Sequence, residues 1–152
     1  MTKLCKSTGM AVLLVLLTNA TAFAGGEGWM TDFEAAQAKA AEKGKPMLLD
    51  FTGSDWCGWC IRLDKETFSK PEFQKFAKDN LVLVELDFPN NKPQSAEIKK
   101  QNEALQEKYG VQGFPTLVLL NSEGKEIARN PGYLPGGPSA LIAWVEAAKA
   151  KK

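Results

Sequence analysis

The chain has 152 residues, 44% hydrophobic and 24% charged, with a formal net charge of +1. That length fits one domain able to bury a full core, and that composition argues against a disordered chain and against a membrane-spanning bundle. Near-neutral charge gives no sign of a surface for nucleic acid or an anionic membrane, and the absence of histidine removes Cys-His and Ser-His nucleophile pairs.

Lys3 and Lys6, an apolar run from Met10 to Leu17, and Ala22-Phe23-Ala24 make the three parts of a secretory signal, residues 1–24, cleaved after Ala24. The alternative is an uncleaved anchor, although the apolar run falls short of the about 20 residues a span needs. Cleavage would remove two lysines and no acids, leaving 17 basic against 18 acidic residues, a net charge of −1. It would also remove Cys5, so that Cys57 and Cys60 are the remaining cysteines. The expected location is periplasmic or secreted.

Residues 25–30 read as a flexible lead-in to a domain over residues 31–152. Thr31 followed by Glu34 has the form of a capping box, which predicts a helix over about 32–43 with Phe33, Ala36, Ala40 and Ala41 on one face and Gly44 at its end. Pro46 to Thr52 is an apolar run suited to a strand buried on both faces, and alternation sets Asp50 on the face opposite Leu49 and Phe51. Gly53-Ser54-Asp55 turns the chain into the helix that follows.

Ile61 to Phe68 is helix-like, and Ser69 is expected to cap a second piece with Pro71 just inside it and Phe73 and Phe76 facing the core. Leu81 to Phe88 reads as a central strand. A helix is predicted from Ser95 to about Tyr109, with Ile98, Leu105 and Tyr109 inward and Gly110 as its stop. Strands follow at Leu117 to Leu120 and at Lys125 to Arg129, the second polar enough for an edge. Loops at Pro131-Gly132-Tyr133 and Pro135-Gly136-Gly137-Pro138 lead to a last helix, capped by Ser139 and amphipathic through Leu141, Ile142, Trp144 and Val145. This order describes one α/β domain with a mixed sheet covered by helices.

The stretch that carries chemistry is Trp56-Cys57-Gly58-Trp59-Cys60, between the buried strand and its following helix. Cys57 in the first turn faces unpartnered N–H groups and the positive end of the helix dipole, both of which favour thiolate. A thiol so placed has its pKa lowered from about 8.5 to roughly 3.5–7.5. Cys57 is then the attacking sulfur, exposed at the surface, and Cys60, one turn further in, the shielded one that resolves a mixed disulfide. Two cysteines and no histidine supply too few ligands for a zinc site, so a metal reading would need carboxylates or a cluster shared by a dimer. An inert structural disulfide across this separation would close almost no loop. No metal and no bound cofactor are expected. Trp56 reads equally as docking surface or core filler, and Trp59 as a contact residue.

These residues resemble the thioredoxin family. The strand ending in Asp50-Phe51, the Trp-Cys-Gly-Trp-Cys motif, Gly113-Phe114-Pro115-Thr116 before a strand, and Gly132 after the edge strand occur in the family's order. Lys45 to Phe51 together with Glu66-Thr67-Phe68-Ser69 is most similar to exported thioredoxin-like proteins and to the C-terminal domain of the bacterial thiol:disulfide interchange protein. The resemblance implies the thioredoxin fold, a central mixed β-sheet flanked by helices on both faces. It implies Cys57 as nucleophile, Cys60 as resolving thiol, and Asp50 as the buried acid that exchanges a proton with Cys60. It places Pro115 in the family's cis-proline position, a bond the residues alone would predict to be trans. Phe114 would then offer backbone to an extended substrate, with Trp56, Gly58 and Trp59 completing the contact surface. An apolar residue around Leu83 stands where a lysine often neighbours the family's acid.

The function expected is an exported thiol-disulfide oxidoreductase, a protein disulfide reductase working through Cys57 and Cys60. Its partners would be protein thiols and disulfides, with a membrane thiol:disulfide reductase as electron donor; no nucleic acid is expected, and the chain would be a monomer. An oxidase or isomerase running the same exchange the other way is one alternative, and a non-catalytic peptide-binding or chaperone-like module is another.

Overall fold

The structure, a computed structural model, describes residues 26–151. The expected signal segment 1–24, with Lys3, Cys5, Lys6 and Ala24, lies outside the described residues. A two-residue strand is followed by helices and strands in the order β1 Trp29–Met30, α1 Phe33–Lys43, β2 Met47–Thr52, α2 Gly58–Leu63, a π-helical turn Asp64–Phe68, α3 Pro71–Asn80, β3 Val82–Asp87, α4 Ala96–Lys108, β4 Thr116–Leu120, β5 Glu126–Pro131 and α5 Gly137–Lys149.

The strands form one sheet in the order β1-β3-β2-β4-β5. β1 and β2 run parallel to β3, and β4 runs antiparallel to β2 and to β5. β2 is central, and all six of its residues are buried, as an unbroken apolar run predicts. Alternation divides the sheet between two cores. Met47, Leu49, Phe51, Val84 and Leu86 face Ala36 and Ala40 of α1 and Leu105 of α4. Leu48, Leu83, Leu117 and Leu119 face Leu63, Phe73, Leu141 and Val145 from α2, α3 and α5. Each such side chain taken fully out of water contributes about 1.5–3 kcal/mol, which fixes which strand face meets which helix pair.

Several local expectations are corrected. The lead-in is not free of the sheet: Trp29 is buried against Phe68 and pairs in register with Leu83. A two-residue strand has no periodicity to betray it. The cap of α1 is Asp32, whose Oδ1 accepts from the Ala35 N–H at 3.0 Å, and not Thr31. Ala41 is exposed, one helical step beyond the stripe of Ala36 and Ala40. Ser69 does not cap α3; the N-cap is Lys70, while the Ser69 hydroxyl donates to Asp64 Oδ2 at 3.2 Å. Ser139 does not cap α5; Gly136 at φ +101° does, and the Ser139 hydroxyl donates to Glu72. β5 runs on to Pro131, beyond its expected end at Arg129. α4 begins as expected, with Ser95 Oγ accepting from the Ile98 N–H.

β1 covers the outer edge of β3 at Leu83 and Val84. Further along, the Asp87 carbonyl accepts side-chain N–H groups from Gln94 (3.0 Å) and from the buried Asn102 (2.9 Å).

Candidate active site

The site is assembled where β2 ends. The Gly53 carbonyl accepts N–H groups from Trp56 and Cys57, closing a turn that delivers Cys57 to the start of α2. The turn is tied to the end of β3 and the loop after it. Ser54 donates its N–H (2.9 Å) and its hydroxyl (2.6 Å) to the Asp87 carboxylate. The Asp55 carboxylate accepts backbone N–H groups from Asn90, Asn91 and Lys92, and these bonds lower its pKa. The Trp56 indole N–H reaches the Phe88 carbonyl at 2.8 Å. A Cβ on Gly53 would stand 2.5 Å from the Trp56 ring, so only glycine allows that ring to lie back over the turn.

Cys57 is the N-cap of α2, its backbone extended, and its Sγ accepts the Cys60 N–H at 3.3 Å. Cys57 and Cys60 are joined as a disulfide with their Cα atoms 5.2 Å apart. Gly58 opens the helix and is exposed. The expectation of an exposed Cys57 sulfur is not met: Cys57 is 5% exposed and Cys60 4%. Cys60 lies on the buried side of α2, and the disulfide holds the Cys57 sulfur against it. A reduced Cys57 thiolate would receive the same N–H as a charge-assisted bond. After Leu63 the helix widens, with the Ser69 N–H bonding the Asp64 carbonyl five residues back at 2.8 Å.

Behind Cys60 lies a cavity of about 300 Å³ lined by Asp50, Cys60, Asp64, Glu85, Lys92 and Ser54 among others. Asp50 is buried, and its Oδ1 has no hydrogen-bond partner among the described residues. Burial first, then the carboxylates of Glu85, Asp64 and Asp87, raise its pKa well above the usual aspartate range. The residue beside Asp50 on β3 is Glu85 and not Leu83, which pairs with Leu48. An acid therefore stands where an apolar neighbour was expected, because the strand register is set by Met47 opposite Val82. Burial lifts Glu85 to about 7, Asp87 and Asp64 adding to the rise and Lys92 opposing it.

The aromatic residues divide into two groups. Trp56 packs edge-on against Phe114 (6.0 Å between centroids), and Phe114 stacks on Phe88 (4.9 Å). The Phe114–Pro115 peptide bond is cis, and the Pro115 carbonyl accepts the Gly132 N–H at 2.8 Å. Trp59 instead lies on Tyr133, 5.3 Å between centroids. Arg62 sits over both rings at 5.5 and 5.2 Å, and Glu66 accepts from Arg62 Nε and from the Tyr133 hydroxyl. Trp56, Trp59 and Ile61 are the exposed large apolar residues around the disulfide.

Sequence reasoning missed Glu85, Asp87, Arg62, Glu66 and Tyr133. Glu85 and Asp87 interrupt an apolar strand at alternate positions, a signal of two carboxyls on the Asp50 face once the register is known. Arg62 and Glu66 have the spacing of a helical ion pair; Tyr133 had no signal, since only the fold brings it to α2. Among the described residues, no cluster of three His, Cys, Asp or Glu side chains is arranged to hold a metal ion, and no helix is long and apolar enough to cross a membrane.

Residues 33–149 match the family model of a thioredoxin-like domain. The disulfide bond reductase DsbH of Chlamydia pneumoniae is 44% identical over 104 residues, covering 68% of this chain and 62% of that protein. The thiol:disulfide interchange protein DsbD of Klebsiella pneumoniae is 38% identical over 93 residues, 61% of this chain and 14% of that protein. The chain thus spans less than two thirds of the length of these curated relatives. Among solved structures, a DsbH oxidoreductase superimposes with a TM-score of 0.74 at 39% identity, covering 80% of this chain and 83% of that one. The reduced C-terminal domain of Neisseria meningitidis DsbD does so with 0.58 at 26%, covering 76% and 92%.

Proposed function

Because this chain belongs to the thioredoxin-like domain family, we propose that it is an exported thiol-disulfide oxidoreductase acting as a protein disulfide reductase. The observation that carries the reading is the Cys57–Cys60 disulfide at the head of α2, with the Cys60 N–H on the Cys57 sulfur and a buried acid behind Cys60. In the reduced protein, Cys57 thiolate attacks one sulfur of a substrate disulfide and releases the other as a thiolate. Cys60 gives its proton to Asp50, attacks Cys57, and expels the second substrate sulfur as a thiolate that takes a proton from water. Two electrons pass to the substrate, and the Cys57–Cys60 disulfide remains.

Trp56, Gly58, Trp59, Phe114 and Pro115 form the contact surface for the partner, with the exposure of the two tryptophans in support. The reductase direction is supported by the similarity to the disulfide bond reductase DsbH of Chlamydia pneumoniae. Export is supported by Lys3, Lys6, the apolar run and Ala22-Phe23-Ala24. Electrons would then return from a membrane thiol:disulfide reductase, and the chain would act as a monomer.

The test is insulin disulfide reduction driven by dithiothreitol. Activity lost in Cys57→Ser supports the reading, and activity that survives that change overturns it. Titration against glutathione fixes direction, since such pairs range from about −270 to −120 mV.

A further inference from the structure

Asp50 and Glu85 are register partners on adjacent parallel strands, which lie about 4.8 Å apart. Alternation sends both side chains to the same sheet face as Leu48 and Leu83, and both line the cavity that reaches Cys60. Asp50 is the inner of the two, buried and with one carboxyl oxygen unpaired. Glu85 is the more open. The charged and titratable groups around them are Cys60 from α2, Asp64 from the π turn, Asp87 from β3 and Lys92 from the following loop. Asp87 is already engaged by Ser54.

Building on the proposed reductase reaction, we propose that Glu85 is a positioning residue for proton transfer: it accepts the proton that Asp50 hands on when Asp50 takes one from Cys60. The order of the two carboxyls follows from their surroundings. Asp50 is the more deeply buried of the two, and Glu85 adds to the charge that keeps it protonated. A carboxyl that keeps its proton presents no charge to its neighbour, so Glu85 ionises first and Asp50 remains the protonated member.

At neutral pH a protonated Asp50 alone has no capacity to take the Cys60 proton. Beside an ionised Glu85 it can do so, releasing its own proton to Glu85 in the same step. The Cys60 S–H bond breaks, a new Asp50 O–H bond forms and the old one becomes a Glu85 O–H. The Cys60–Cys57 bond forms as the Cys57–substrate bond breaks, and the departing substrate sulfur carries the electron pair. Glu85 then loses its proton to solvent past Lys92.

The test follows the resolving step in single turnovers of the reduced protein with a self-quenched, disulfide-bonded peptide pair, between about pH 5 and 9. The native rate should rise through an inflection near 7, where Glu85 ionises. Glu85→Gln should remove that inflection and slow resolution by about tenfold or more on its alkaline side, while Glu85→Asp restores the inflection. Independently of turnover, the Asp50 carboxyl followed by carbon-13 NMR should titrate about one pH unit lower in Glu85→Gln, having lost a like charge. Superposable rate profiles with an unmoved Asp50 titration overturn the assignment. Trapping separates this from the underlying reading: a Cys60→Ala variant that forms no mixed disulfide removes the reaction itself, whereas one that forms it, with superposable profiles, removes only the role of Glu85.

Discussion

Glu85 stands beside Asp50 across the β2–β3 pair, so two carboxyls share a largely buried strip of the sheet. Their cost to the fold depends on pH. Glu85 keeps its proton up to about 7 in the folded chain, against 4.5 for an ordinary glutamate. Between those values the folded chain binds more protons than the unfolded one, so stability falls as pH rises through the window and levels off above it.

Glu85→Gln removes this fall. Urea unfolding should give equal stabilities for variant and native chain below about pH 4.5, and a gain of up to about 3 kcal/mol for the variant above about pH 7. A difference that does not change with pH would contradict the burial of this charge.

Cys60→Ala leaves Cys57 with its helix N-terminus but takes away the sulfur that resolves its adducts. The variant should accumulate mixed disulfides at residue 57, visible by mass spectrometry of thiol-blocked samples, and lose catalytic turnover to background. Cys57→Ser should form none. Adducts on Cys60 in that second variant would reverse the assignment of the two sulfurs.

Trp59 is 56% exposed and held by Tyr133 and Arg62. Exposed aromatics prearranged in this way are typical anchors for a partner. Trp59→Ala should raise KM for a protein disulfide about tenfold while leaving turnover of a small disulfide unchanged, and should shift folding stability by no more than about 1 kcal/mol. Equal losses on both substrates would point to a distorted α2 instead of a lost contact.

Gly53→Ala places a methyl group inside the Trp56 ring. The ring must swing out and release the Phe88 carbonyl. The expected cost is about 1–3 kcal/mol, with loss of hydrogen-exchange protection at the Trp56 indole N–H. Retained protection would show that the turn can absorb the change.

What the residues made legible were the elements whose pattern is long. β2, β3 and β4 are apolar runs with clear ends, α4 carries its cap in Ser95, and the cysteines announce their own chemistry. What escaped depends on partners far along the chain. β1 exists only because β3 offers an edge to Trp29 and Met30. Asp32 takes the cap expected of Thr31 because the two alternatives differ by one residue and a fraction of a kcal/mol. Glu85 was overlooked because the neighbour of Asp50 is decided by register, and the run Val82-Leu83-Val84-Glu85 allows a slip of two residues without changing which face is apolar. Tyr133 was invisible for a related reason: it reaches Glu66 across 67 residues of chain.

The small strand β1 has an effect beyond packing Trp29. With β3 covered by it and by Gln94 and Asn102, one side of the sheet has little backbone left to recruit a foreign strand. The opposite side, β5, presents Glu126, Arg129 and Pro131, a charged ribbon interrupted by an imide. Charges and proline on an outer strand are the usual deterrents to fibril-like growth. In the proposed reductase reaction, a disulfide-bearing protein docked near Trp59 would thereby find little free strand edge on which to add itself to the sheet.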